Sequence, residues 1–288
     1  MVPQGPHQGD PLSREEREEL GDDLISFSDR ELDLLGNIAD LEVLYAGGSS
    51  PLWLEGLVQR VGRGGSLTAL DADTERIEES RELLRDADLA VPVRLVAGDV
   101  FRPPFEKNTF DLVYSAGLFH ELDAKERPAD DALAALVALV QPGGRVATSD
   151  FVDWAPAAQL EDEELERELA RETRGARLWG IGDVDRLVTL HETFLEDIRW
   201  RVLPPFRIRH LDKLLLAEAE REEMRRLPAR KRRALRERRE TLRRRVEREG
   251  YTRPATLYVE GFVPGGQTAS GTALYRHLPD PGQMPMPG

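Results

Sequence analysis

The stretch Leu41–Asp71, LEVLYAGGSSPLWLEGLVQRVGRGGSLTALD, constrains the fold more than any other part of the chain. LEVLYA is a short, almost wholly apolar run, fit for a strand buried on both faces. The small, flexible GGSS after it suits a sharp strand-to-helix turn, where glycine lets backbone approach a ligand. A helix is expected from Ser50 or Pro51, with a serine cap, proline in its first turn, and Leu54, Leu57, Val58 and Val61 on one face. Gly64 and Gly65 end it, and SLTALD makes a second buried strand that closes on an acid. An acid at the tip of the second strand, facing a Gly-rich turn after the first, can hold a ribose by carboxylate-to-hydroxyl hydrogen bonds. A nucleoside-type cofactor is therefore the leading expectation. Gly-rich turns join strands to helices in α/β proteins of every function, so the continuation decides.

After Asp71, Thr74–Arg85 reads as a surface helix, and PVRLVAGDV is a third strand ending on another acid, Asp99. FDLVYS (110–115) is a fourth strand and Pro128–Val140 an apolar helix. QPGG then turns the chain into RVATSD (145–150), a fifth strand. Nearly all-apolar strands alternating with helices mean a parallel sheet covered on both faces, with ligands at the carboxyl ends of the strands. Gly47, Asp71, Asp99, Ser115 and Asp150 all fall at those ends.

The flanks add to this core. Residues 1–13, rich in Pro, Gly and Gln, are expected to be disordered. Ser13 and Glu16 form a capping box for a helix whose buried side includes Leu20, Leu24, Ile25, Phe27, Leu32 and Leu35. That helix is expected to pack on the sheet edge, with a lid over the pocket as the alternative. Beyond Asp150 come an acidic helix, EDEELERELARETRG, a helix over DVDRLVTLHETFL, an alternating run interrupted by prolines, DIRWRVLPPFRIRH, and a last strand, PATLYVEGFVP. A helical insertion, 211–250, separates those two final strand segments. The domain thus runs 14–264, and 265–288 is expected to be a disordered tail.

Composition excludes several chemistries. The chain of 288 residues has no cysteine, hence no disulfide, thiolate metal site or cysteine nucleophile. A formal charge of −14 argues against general nucleic-acid binding. No run approaches the roughly 18 apolar residues needed to span a bilayer. The beginning lacks a basic segment followed by an apolar one, so a cytoplasmic location is expected. Against this acidity, 221–249 holds 13 arginines and Lys231 against six glutamates, a net of +8. Leu235, Leu242 and Val246 fall on one face of that segment, which is read as a clamp against the acidic body, a lid or dimer arm, or an RNA surface. It has no aromatic residue to stack on bases, so nucleic acid is not the expected partner.

With the rim residues assembled, residues 38–152 resemble the class I S-adenosylmethionine-dependent methyltransferases, particularly the group acting on small molecules. The Gly-rich turn, LTALDAD, VAGDV, PPFEKNTFDLVYS, LFHEL and LVQPGGRVATSD follow in family order. The resemblance implies a Rossmann-like, seven-stranded, mostly parallel sheet with helices on both faces and the last strand antiparallel. It implies S-adenosylmethionine as cofactor and a small-molecule acceptor. Cofactor contacts are implied for Tyr45, Gly47, Gly48, Ser49, Asp71, Ala72, Asp99, Val100 and Ser115. Of these, Gly47 approaches the methionine part, Asp71 the ribose hydroxyls, and Asp99 and Val100 the adenine. One departure stands out: Tyr45 occupies the position at which the family's first strand usually ends in an acid. A non-catalytic relative and an RNA methyltransferase using the basic insertion are the alternatives.

His120, after the fourth strand, is the candidate catalytic base, against a purely structural histidine at a helix start. His191 sits on an apolar helical face and reads as a core-edge residue. No His and carboxylate spacing fits a metal, and no GxxxxGKS or GxSxG motif occurs. A homodimer is a further expectation.

Overall fold

The computed structural model describes residues 12–265 except 86, 88, 126, 127, 181 and 214–221. The expected disorder of residues 1–11 and of 266–288 lies outside the described residues. Leu12 is buried against Leu20, Phe27 and Ile208, ahead of helix α1 (Arg14–Leu32), which begins at the capping box of Ser13 and Glu16.

Seven strands form the main sheet: β1 (Glu42–Ala46), β2 (Ser66–Asp71), β3 (Val93–Ala97), β4 (Phe110–Ala116), β5 (Val140–Phe151), β6 (Glu196–Leu203) and β9 (Thr256–Phe262). Their order is β3-β2-β1-β4-β5-β9-β6. The last strand, β9, is antiparallel to both neighbours, and the pairs among β1 to β5 are parallel. The strand order reverses between β1 and β4, which leaves a crevice at their carboxyl ends.

Alternation along β1 explains both layers. Leu44 and Ala46 enter one core with α4 (Ala129–Val137) and α6 (Val184–Glu192). Val43 and Tyr45 enter the other, with the Leu54, Leu57, Val58 and Val61 face of α2 (Pro51–Val61). QPGG does not break the strand as expected: β5 starts at Val140, and a register irregularity opposite Phe110–Leu112 absorbs the two glycines.

Helix α1 is neither a free lid nor a simple edge helix. Arg60 of α2 reaches Asp29 at 2.9 Å and Asp33 at 2.6 Å, and Arg209 holds Asp23 at 2.8 Å. Just beyond α1, Arg145 donates to the Leu35 carbonyl and pairs at 3.0 Å with Glu260, a buried ion pair spanning β5 and β9. Ile25, expected inside, is exposed.

The insertion contains α7 (Glu222–Arg225) and α8 (Ala229–Glu249), joined around Pro228 and lying between β7 (Phe206–Arg207) and β8 (Thr252–Arg253), themselves paired. Leu235, Leu242 and Val246 of α8 bury against Leu165 and Leu169 of α5 (Ala157–Arg174). Arg238 pairs with Glu161 at 2.9 Å and with Glu168, and Lys231 pairs with Glu172. Two cations of the basic insertion, Arg238 and Lys231, thus pair with the acidic helix α5, while Arg233, Arg243 and Arg244 pair with glutamates of α8 itself. Among the described residues no helix is long and apolar enough to cross a membrane, and no group of three His, Asp or Glu side chains could hold a metal ion.

Candidate cofactor and acceptor site

A cavity of about 1130 Å³ opens at the carboxyl ends of β1, β2, β4 and β5, walled on its far side by α1, α5 and α8. Such a volume exceeds that of most single-ligand sites, roughly 300–1,000 Å³.

The turn after β1 forms the near wall. Gly47 has φ +78°, a conformation costly for other residues, and a Cβ there would sit 2.5 Å from Leu118. The amides of Gly47 and Gly48 both donate to the Leu70 carbonyl, at 2.8 and 3.1 Å, which pins the turn to β2. A Cβ on Gly48 would lie 2.6 Å from the Tyr45 hydroxyl. Tyr45 is buried and stacks on Tyr114 with ring centroids 5.9 Å apart. Burial, together with the nearby Glu31, Asp71 and Glu121 carboxylates, pushes its hydroxyl pKa well up, so Tyr45 is a neutral phenol.

Ser49 and Asp71 meet across the turn: the Ser49 hydroxyl donates to Asp71 Oδ2 at 2.8 Å, and Asp73 N donates to Oδ1 at 2.9 Å. Each carboxylate oxygen keeps a further acceptor site for a ligand hydroxyl. Asp73 itself caps α3 (Thr74–Leu84), accepting from the amides of Glu75 and Arg76.

Of the other expected cofactor residues, Ala72, Asp99 and Val100 do not line this cavity. Ala72 and Asp99 are exposed, Asp99 accepting from the Phe101 amide at 2.9 Å, and Val100 is buried in the core. Ser115 departs from its expected place. It is 1% exposed and faces into the sheet, donating to Thr148, whose hydroxyl meets His191 Nε2 at 3.0 Å. Ala116 and Gly117 line the cavity in its stead, because successive strand residues point to opposite faces. His191 is wholly buried, burial pushes its pKa down to about 4, and its Nδ1 donates to the Leu187 carbonyl. It is a neutral core histidine.

His120 does reach the cavity. Its Nδ1 lies 2.6 Å from Asp150 Oδ1, and Asp150, fully buried, also accepts from the amides of Phe119 at 2.7 Å and Phe151 at 2.8 Å. With the His120 amide at 3.3 Å, three backbone donors and the imidazole hold that carboxylate, so it orients the imidazole and leaves Nε2 as the proton acceptor. Burial alone works against the imidazolium. Asp150's charge and hydrogen bond outweigh it, and the His120 pKa ends above its ordinary value. The imidazole rests 5.1 Å from the Phe151 ring.

The far wall holds residues that the sequence reading passed over. Glu31 of α1 is 3% exposed and lines the cavity, and burial lifts its pKa to about 7. Phe27 and Leu35 stand four residues to either side of it, so an acid in the middle of a buried helical stripe was a legible signal. Trp53, Arg253 and Thr256 line the same region.

Residues 43–144 match the family profile described as "Methyltransferase domain". The ubiquinone/menaquinone biosynthesis C-methyltransferase UbiE of Idiomarina loihiensis is 33% identical over 137 residues, 45% of this chain and 52% of that protein. The chain thus spans about half the length of the curated relatives it matches. The solved YcgJ protein of Bacillus subtilis superposes with a TM-score of 0.52 at 15% identity, covering 87% of this chain and 100% of that one. Haemonchus contortus phospholethanolamine N-methyltransferase 2, solved with phosphomonomethylethanolamine and S-adenosylhomocysteine, gives 0.52 at 14% identity over 91% of this chain and 61% of that one. The fold, with its strand order β3-β2-β1-β4-β5-β9-β6, is shared with these solved proteins.

Proposed function

We propose that this chain transfers a methyl group from S-adenosylmethionine to a small-molecule acceptor. The observation that carries the reading is a single cavity joining the Gly47–Asp71 turn to the His120–Asp150 pair. Bound there, the cofactor supplies an electrophilic methyl group on a sulfonium. The residues fit it: the Gly47–Gly48 backbone allows close approach, and Asp71, braced by Ser49, offers acceptors to ribose hydroxyls. Tyr45 closes the turn from below, and the exposed Ala72 and Asp99 are assigned to the adenine although they stand outside the cavity's lining.

On the acceptor side, His120 Nε2 takes the proton released as the acceptor becomes nucleophilic, and Asp150 steadies the resulting imidazolium. Most of the remaining work is positioning, since in-line methyl transfer depends on holding donor and acceptor in contact and away from water. Phe27, Trp53 and Phe151 supply an aromatic wall that suits a flat ring. The curated relatives are C-methyltransferases of ubiquinone/menaquinone biosynthesis, so a hydroquinone-type ring is the first acceptor to test. Removal of a ring hydroxyl proton by His120 would raise electron density at the adjacent ring carbon. That carbon would then gain the methyl group as the sulfonium becomes a neutral thioether, and its own proton would pass to the ring oxygen, restoring the hydroxyl.

The insertion serves as an intramolecular clamp in this reading. Its apolar face and two of its cations, Arg238 and Lys231, are engaged by α5, which favours the clamp over an RNA-binding or dimer-arm role. Calorimetry with S-adenosylmethionine and its demethylated product, followed by label transfer to small hydroquinones, tests the proposal. Folded protein that neither binds nor is thermally stabilised by millimolar cofactor would leave the non-catalytic alternative in its place.

A further inference from the structure

Arg253 is held in the far wall by aromatic rings, without an acid paired to it. Its guanidinium carbon lies 4.5 Å from the centroid of the Phe151 ring and 5.8 Å from that of Phe27, and all three side chains line the cavity. Among the described residues its side chain makes no hydrogen bond and no ion pair. Other arginines on the same cavity differ: Arg243 is engaged by Glu240 and Glu247, and Arg76 pairs with Asp73 at 3.6 Å. The strand that carries Arg253 is fixed by its pairing with β7, where Phe206 stands opposite. A guanidinium stacked through its faces keeps its in-plane N–H groups as donors, and these form the fork that matches a carboxylate.

The acids around it do not take up that charge. Asp150 is held by the His120 imidazole and by the amides of Phe119, His120 and Phe151. Asp162 is engaged by the Tyr251 hydroxyl at 2.6 Å. Glu31 feels the charge of Arg253, but burial lifts its pKa to about 7, so near neutral pH it cancels only part of it. Phe151 also packs against His120, with centroids 5.1 Å apart, so the cation and the proposed base touch the same ring. A carboxylate conjugated to an aromatic ring lies near the plane of that ring and can meet a guanidinium edge to edge. We infer that Arg253 selects the acceptor, binding a carboxylate carried on the acceptor ring while His120 faces a ring hydroxyl. The substrate class is then a hydroxyaryl carboxylate, a narrower class than neutral hydroquinones. This rests on the acceptor reading above.

The test compares three related rings: 2,5-dihydroxybenzoate, its neutral methyl ester, and hydroquinone. Ligand-observed NMR titration reads their affinities for the full chain, for Arg253→Met, which keeps contact with both rings without the charge, and for Arg253→Lys, with circular dichroism to confirm folding. The expected result is a preference of about tenfold or more for the carboxylate over both neutral rings in the unaltered protein, abolished in Arg253→Met and partly kept in Arg253→Lys. No preference in the unaltered protein, or no binding of any ring, overturns the inference. A preference that survives intact in folded Arg253→Met overturns it too. So do equal losses for all three rings, because Arg253 would then act only through packing. These titrations need no cofactor, so their failure is separable from a failure to bind S-adenosylhomocysteine, which would sink the methyltransferase reading instead.

Discussion

The near and far walls of the cavity are built by different means. The near wall, Gly47 to Asp71, comes from a single strand-turn-helix-strand passage in which neighbours in sequence are neighbours in space, and its turn is tied by short-range hydrogen bonds: Ser49 on Asp71, Asp71 on Asp73, Ser80 on the Ser49 carbonyl. The far wall collects Glu31, His120, Asp150, Arg253 and Thr256 from five separate segments. Its members are strained electrostatically, with Glu31 raised and His120 shifted against its burial. The near wall is a docking surface that folds correctly by local rules. The far wall is where burial and charge are placed in conflict, and groups so placed cluster at chemically active positions.

If that contrast holds, substitutions on the two walls should fail differently. The largest effect is expected at His120: His120→Gln should lower kcat by about 10²- to 10⁴-fold with cofactor affinity unchanged. Because the raised pKa keeps the imidazole protonated at mildly acid pH, activity should climb as pH rises through a value above the ordinary one. Asp150→Asn should move that limb to lower pH while reducing the rate. A pH-independent rate with full activity in His120→Gln would make His120 a structural residue.

The next effect is on stability. The Glu31 pKa rises from about 4.5 to about 7 on folding, so the folded state binds the extra proton. Stability is then unaffected below the unfolded value and falls as pH climbs between the two, the ionised form being the one penalised, with Arg30 and Arg253 moderating and Asp150 adding to it. Glu31→Gln should accordingly raise stability at pH 8 by roughly 2–3 kcal/mol and flatten its pH dependence across that window, read by denaturant melts. A variant that is destabilised at every pH would place Glu31 among ordinary structural groups.

On the near wall, Asp71→Ala should cost about 1.5–3 kcal/mol of cofactor affinity by calorimetry. Asp73→Ala, two residues on, should leave affinity nearly intact and cost about 1 kcal/mol of stability through loss of the α3 cap. Equal affinity losses would mean that the wall does not present Asp71 to the ligand.

The smallest effect belongs to the clamp. Arg238 and its partners Glu161 and Glu168 are partly exposed, so Arg238→Ala should lower stability by less than about 1 kcal/mol. The difference should vanish near about 1 M salt. A large, salt-independent loss would mean that α5 and α8 depend on that cation for their packing.

The strands, the two-sided burial of β1, β2 and β4, the Gly47 turn and the acid closing β2 were legible in the sequence, because each depends on the character of a few adjacent residues, whereas β3 proved a half-exposed edge strand that ends before Asp99. Ser115 was misplaced by one position for a related reason: period-two alternation requires an anchor, and only the pairing of β4 with β5 showed which face Ser115 takes. Asp150 was visible as a strand-end acid, but its partnership with His120 joins positions 30 residues apart. The opposition of α5 to α8 was present in their charges, whereas the choice among clamp, lid, dimer arm and RNA surface needed the docked helices. Glu31 marks the boundary most clearly. Its place on an apolar helical stripe is a local fact, determined by the amino-acid sequence of α1. Its raised pKa arises from burial beside Thr256, Asp150 and Arg253, neighbours it has only after the N-terminal helix has packed against the other end of the chain.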